Sequence, residues 1–196
     1  MAILRGTILV LAAAVAPCAL GATSGDATTG TLFGYRIATP YPLTDATEIV
    51  ARSAPPARLI TLVADHPVKP DDIDRVLLIV TPVSHTILTI GVQMPFGDES
   101  SARAFAGKYL RLLSAKYPGA EADLEIIGRR GRIRFGDSYE LVMTLLSGDE
   151  TVAGAAWTVE FLYQSRPDSL TAQSLSELLA TEIDKATLRG QDTRGL

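Results

Sequence analysis

The chain has 196 residues and a formal net charge of −4 at neutral pH; 47% of its residues are hydrophobic and 20% are charged. This length suits one domain whose core is large enough to fold without a metal or a disulfide. The apolar share excludes an intrinsically disordered chain. The acidic balance argues against nucleic acid as a partner, because binding it needs a concentrated basic surface.

The first 21 residues, MAILRGTILVLAAAVAPCALG, have the pattern of a bacterial secretory signal peptide. One positive charge, Arg5, precedes a short apolar run that ends in Pro17 and small residues. The run is too short for a stable membrane-spanning helix, and no later segment approaches the ~20 apolar residues that a span needs. We therefore expect a periplasmic or extracellular protein that is cleaved near Gly21 and has no transmembrane span in its mature form.

The single cysteine, Cys18, lies within this leader and offers an alternative. An acylated Cys18 would anchor the chain to a membrane as a lipoprotein, although Pro17 departs from the small residue that such signals prefer before the cysteine. Cleavage after Gly21 would instead leave a mature chain without a thiol. Disulfides, thiolate nucleophiles and cysteine metal ligands would then be excluded together.

Composition along the chain predicts one folded domain with two flexible ends. Residues 22–31 are small and polar, as in a tether, and residues 190–196 read as a flexible tail, which leaves 32–189 as a single domain. Within 32–43 we expect a short edge strand that ends at its first proline. The following run, 44–57, predicts at most a brief helical turn before its two prolines.

Three strand patterns then lead into a helix. Short β-branched runs predict strands at 58–64 and 75–81, and HTILTIGVQM at 85–94 has the period-two alternation of a half-buried strand. The next stretch, FGDESSARAFAGKYL, opens a helix whose apolar stripe extends from Ala102 to Tyr117. Its polar start predicts an N-cap at Asp98 or Ser100 rather than a catalytic site.

The second half of the chain repeats this rhythm. Strand patterns occupy 122–127, 132–135, 139–147 and 155–163. A second amphipathic helix follows, with an apolar stripe of Leu175, Leu178, Leu179, Ile183 and Ala186. Shifted by about seventy positions, the two helix patterns match, which fits either a degenerate tandem repeat of strands followed by a helix or two unrelated strand–helix units.

The fold class follows from the lengths of the links. Most links between strands are short enough for hairpins, whereas parallel crossovers need a dozen or more residues. We therefore predict an α+β fold, with an antiparallel sheet packed against two amphipathic helices. In this arrangement both helices would cover the same apolar face of the sheet.

One candidate site for chemistry is the acidic loop around His66. Asp65 and Asp71 flank this histidine, and imidazole and carboxylate groups can hold a divalent metal. The spacing fits neither HExxH nor an EF-hand loop, so a solvated loop is the favoured interpretation. Ser84 beside His85 is a weaker candidate for a nucleophile and its base, because neighbours on a strand point to opposite faces.

The segment GRRGRIRFG contains four arginines: Arg129, Arg130, Arg132 and Arg134. Arginine forks suit phosphates and carboxylates, so the segment is the best candidate for a patch that binds an anionic ligand. The plainer interpretation is a hairpin in which Ile133 and Phe135 point inward and the arginines face water.

Because no catalytic pattern stands out, the leading hypothesis is an exported, non-catalytic binding or interaction protein of the periplasm or cell envelope. Its expected partner is an unidentified protein or a small anionic ligand, and no cofactor is implied. The alternative is an envelope hydrolase or metal-dependent enzyme that uses His66 and the neighbouring aspartates.

Overall fold

The computed structural model describes residues 27–45, 47–65, 67–117, 120–127, 129–152 and 154–192. Of residues 121–127, 150 and 189–192 it describes the backbone alone. In chain order the elements are β1 (Thr31–Leu32), β2 (Tyr35–Arg36), β3 (Ile49–Arg52), β4 (Ile60–Val63), β5 (Leu77–Val80), β6 (Ile87–Phe96), α1 (Glu99–Lys116), β7 (Glu121–Ile127), β8 (Arg130–Phe135), β9 (Tyr139–Ser147), β10 (Trp157–Ser165) and α2 (Leu170–Asp192).

Eight of these strands form one antiparallel sheet in the order β3-β4-β5-β6-β10-β9-β8-β7. Two meanders of four strands lie side by side, joined through the antiparallel pairing of β6 with β10, and a helix follows each meander. The predicted α+β class is confirmed. The seven strands from β4 to β10 lie where the sequence patterns predict them, and the strands-then-helix rhythm is a real feature of the topology.

The segment before β4 differs from the expectation. In place of a helical turn within 44–57, residues Ile49–Arg52 form β3, whose β-branched Ile49 and Val50 suit a strand paired along one edge. In place of one edge strand within 32–43, β1 and β2 form a separate hairpin. Both residues of its turn, Phe33 and Gly34, have positive φ, which matches the twist of a two-residue hairpin.

One face of the sheet, which we name the first face, forms the core against α1. Its buried residues on the central strands include Ile90, Val92, Leu141, Met143, Leu145, Val159, Phe161 and Tyr163. Helix α1 buries the predicted apolar stripe against it, with Ala102, Ala106 and Leu110 fully inaccessible. The ring of Phe105 lies 5.1 Å from that of Phe96 and 6.3 Å from that of Phe161, centroid to centroid.

The segment from residue 27 to 41 also packs against the first face. Ala27 is fully buried, and its carbonyl oxygen accepts a hydrogen bond from the hydroxyl of buried Tyr163. Leu32 and Ile37 are also buried. Residues 27–31, predicted to belong to the tether, are therefore part of the folded domain, while the leader, Cys18 and residues 22–26 lie outside the described residues.

The prediction that both helices cover the same apolar face is wrong for helix α2, which does not pack beside α1 on the first face. Leu175 is its one buried apolar residue among those with described side chains. The helix is held instead by Glu182, whose carboxylate accepts hydrogen bonds from the backbone N–H groups of Val83 at 2.8 Å and Ser84 at 3.2 Å and from the Ser84 hydroxyl. Although burial acts to raise it, these bonds hold the pKa of Glu182 below its ordinary value.

Helix α2 continues to Asp192, so residues 190–192, predicted as the start of a flexible tail, extend the helix. Within the described part of the chain, neither helix combines the length and apolar character that crossing a membrane requires.

Candidate functional site

The opposite side of the sheet, which we name the second face, is only half-buried. Side chains alternate between the faces of a strand, so the residues between the core positions lie here. They include Thr61, Val63, Leu77, Ile79, Gln93, Val142, Thr144, Leu146, Glu160, Leu162 and Gln164. Helix α2 lies against one end of this face, where Leu175 and Leu179 share a cleft with Thr89 and Gln164.

The centre of the second face is apolar. Gly91 of β6 leaves room that Leu162 of β10 fills: a Cβ added at Gly91 would lie 3.2 Å from Cδ2 of Leu162 and 3.9 Å from Cβ of Leu77. Substitution at Gly91 would therefore displace Leu162.

Hydrogen-bonded polar side chains frame this apolar centre. On one side, Nε2 of Gln93 donates to Oε1 of Glu160 at 2.9 Å. On the other, the buried carboxylate of Glu140 accepts from Nε2 of Gln164 at 3.2 Å and lies 3.3 Å from Nε of Arg132. These contacts fix the positions of the polar side chains on either side of the apolar centre.

Three of the four predicted arginines lie together on the second face. Arg130, Arg132 and Arg134 alternate along β8 and pair with Thr144, Val142 and Glu140 of β9. The side chain of Arg132 remains 44% exposed despite its contact with Glu140. The exposed Arg130 has no ion pair with any residue whose side chain is described.

Arg129 is separated from the other three. Its guanidinium carbon lies 5.2 Å from the ring centroid of Trp157, in a cation–π contact. Trp157 alternates along β10 with Val159 and Phe161 and so belongs to the first face. The predicted patch of four arginines is therefore a row of three, with Arg129 engaged elsewhere.

The described carboxylates of the acidic loop around His66 do not form a metal site. Asp65 accepts a hydrogen bond from the Tyr41 hydroxyl at 2.8 Å, Asp71 is exposed, and His66 lies outside the described residues. Among the residues that the structure describes, no three His, Cys, Asp or Glu side chains come together in a group that could hold a metal ion.

The Ser84 hydroxyl takes part in the anchoring of α2. It lies 2.6 Å from the hydroxyl of Thr86 and 3.1 Å from that of Thr81, and it donates to Glu182. His85 occupies the turn before β6 with a φ of 55°, and its carbonyl oxygen accepts from the backbone N–H of Tyr41. Ser84 therefore has a structural partner, Glu182, on α2. The sequence adjacency of Ser84 and His85 did not predict this contact.

A cleft of about 280 Å³ opens at the end of the second face where β5 begins and β6 ends. Its lining comprises Val50, Asp74, Arg75, Leu77, Gln93, Pro95 and Val152. Sequence patterns did not point to it, because its residues come from β3, a loop, two strands and the β9–β10 connection. Only the strand order brings these segments together.

The chain matches no family model, and neither a curated protein nor a solved structure shows significant similarity to it.

Proposed function

We propose that the mature chain is an exported binding module that docks an acidic partner protein against the row of arginines on the second face. The observation that carries this proposal is the placement of Arg130, Arg132 and Arg134 on one face of β8, beside the half-exposed Val142 and Leu162. Arginine flanking apolar surface is typical of protein interfaces, and guanidinium groups pair well with carboxylates.

The partner's expected chemistry follows from the order of side chains across the strands. Arg132 of β8 and Val142 of β9 are direct neighbours, and Val142 is in turn paired with Leu162 of β10. A segment that crosses these strands would meet a basic position and then two apolar ones. The matching segment presents acidic residues beside aliphatic ones.

Charge reversal tests this proposal with a fluorescent peptide of alternating glutamate and leucine residues as the probe. We expect anisotropy to report binding that weakens as salt rises, and that Arg130→Glu with Arg132→Glu reduces at least tenfold, on the order of the loss from removing charged hydrogen bonds. Arg130→Glu alone should show a smaller loss in the same direction, and it avoids placing a glutamate beside buried Glu140.

The matched control is Arg36→Glu with Arg52→Glu, which changes the net charge equally at two exposed arginines outside β8. Thermal unfolding of each variant verifies folding. Equal loss of peptide binding in the control and in the β8 variant would contradict a specific docking surface.

Export is the cellular part of the proposal and is supported by the composition of residues 1–21. Expressed in a bacterial host, the chain should reach the periplasm and begin at Ala22, as N-terminal sequencing would show. Cys18→Ser should leave this processing unchanged. A mature chain that begins at an acylated Cys18 would support the lipoprotein alternative, and an unprocessed chain in the cytosol would contradict export.

A further inference from the structure

One wall of the cleft at the end of the second face is built by an irregularity in β3. The pairing of β3 with β4 shifts between Ile49 and Ala51, which face Leu62 and Thr61, and leaves Val50 as the extra residue. A bulge redirects the side chain of the bulged residue and is common beside binding sites. Val50 lines the cleft and remains 51% exposed, which leaves it able to contact a ligand.

The β9–β10 connection also lines the cleft, through Val152, and is held by its own hydrogen bonds. The backbone N–H of Val152 donates to Oγ1 of buried Thr158 at 3.1 Å. The hydroxyl of Thr151 lies 2.9 Å from the carbonyl oxygens of both Gly148 and Ala155. Val152 is thereby positioned at the cleft before a ligand enters.

Three polar side chains lie around the apolar lining, with a charge of each sign. Asp74 and Arg75 are adjacent, and Gln93, whose Nε2 already donates to Glu160, retains Oε1 as an acceptor. The guanidinium of Arg75 lies 3.4 Å from Glu48, with the two side chains 63% and 60% exposed. Such an exposed ion pair contributes little, so a ligand carboxylate can replace Glu48 at small cost.

We propose that this cleft binds a free α-amino acid with an aliphatic side chain, a function separate from the docking of an acidic partner. Arg75 pairs with the carboxylate, Asp74 and Oε1 of Gln93 accept hydrogen bonds from the ammonium group, and the side chain contacts Val50 and Val152. The volume of about 280 Å³ lies just below the ~300–1,000 Å³ of typical small-molecule pockets, which suits a ligand of amino-acid size.

The test is a calorimetric titration of the mature chain with leucine and two analogues that each lack one charge. Leucinamide has no carboxylate, and 4-methylpentanoate has no ammonium group. Leucine should bind saturably, and each analogue should bind about two- to fivefold more weakly, because each loses one ion pair with an exposed side chain. No saturable binding of leucine, or equal binding of all three compounds, would overturn the proposal.

Single substitutions test which side chain binds each charged group of leucine. Arg75→Gln should weaken leucine binding about two- to fivefold and leave leucinamide binding unchanged, whereas Asp74→Asn should weaken leucine binding and leave 4-methylpentanoate binding unchanged. Glu48→Gln should tighten leucine binding, since it removes the competitor for Arg75. Arg52→Gln and Asp71→Asn, at exposed residues outside the cleft lining, serve as controls. Equal losses in these controls would also overturn the assignment.

Discussion

Asp98 caps helix α1 with both oxygens of its carboxylate. One oxygen accepts a hydrogen bond from the backbone N–H of Ser101 at 2.8 Å, and the other accepts from the Ser101 hydroxyl at 2.8 Å. The bonds from Ser101 hold the pKa of Asp98 below its ordinary value. The charge also faces the positive end of the helix dipole, where an anion is stabilising.

Asp98→Ala should therefore lower the midpoint of thermal unfolding by a few degrees at neutral pH. Because the folded-state pKa lies below the unfolded one, this contribution is present above the unfolded pKa and is lost as pH falls through the folded pKa. The gap between wild type and variant should thus narrow under strongly acidic conditions, as calorimetric scans at several pH values would show.

The matched control is Asp98→Asn, which keeps a capping oxygen and removes the charge. It should be more stable than Asp98→Ala at neutral pH, and its stability should depend less on acid than that of the wild type. A stability gap between wild type and Asp98→Ala that stays constant down to strongly acidic pH would contradict the role of the ionised carboxylate.

At the scale of elements, the local sequence pattern predicts whether a segment forms a strand or a helix. It predicts less well which surface that element packs against. Period-two alternation located β6, and helical spacing located both α1 and α2. The position of α2 depends on Glu182 and the turn at Val83 and Ser84, nearly a hundred residues away in sequence. The spacing of apolar residues along α2 gives no information about that contact.

The same contrast holds for the candidate site: the row of arginines was predictable from the sequence, and the cleft was not. Arg130, Arg132 and Arg134 could be placed on one face from sequence, since alternate residues of a strand share a face. The cleft could not be predicted, because it depends on the bulge at Val50 and on a strand order that brings Val152 near it. Short edge strands such as β3 give too few residues for a periodic signal.

At the scale of the whole molecule, the first face has two covers, α1 and the segment from residue 27 to 41. This segment is joined to the central strand β10 by the hydrogen bond from the Tyr163 hydroxyl to the carbonyl oxygen of Ala27. The proposed cleavage after Gly21 leaves the segment intact, whereas a cut after Ala27 would remove its first buried residue and the carbonyl that Tyr163 binds. If the proposed export is correct, cleavage after Gly21 retains every residue of this segment.

A chain that begins at Thr31 should accordingly be less stable than one that begins at Ala22, by about 2–3 kcal/mol, because a buried hydroxyl loses its acceptor and the buried Ala27 is removed. Urea unfolding of both chains measures the difference. Tyr163→Phe, which removes the hydroxyl and keeps the ring, should cost about 1 kcal/mol in the longer chain and less in the shorter one. If the two changes are instead additive, the bond between Tyr163 and Ala27 contributes nothing to that difference, and the segment stabilises the domain through apolar packing alone.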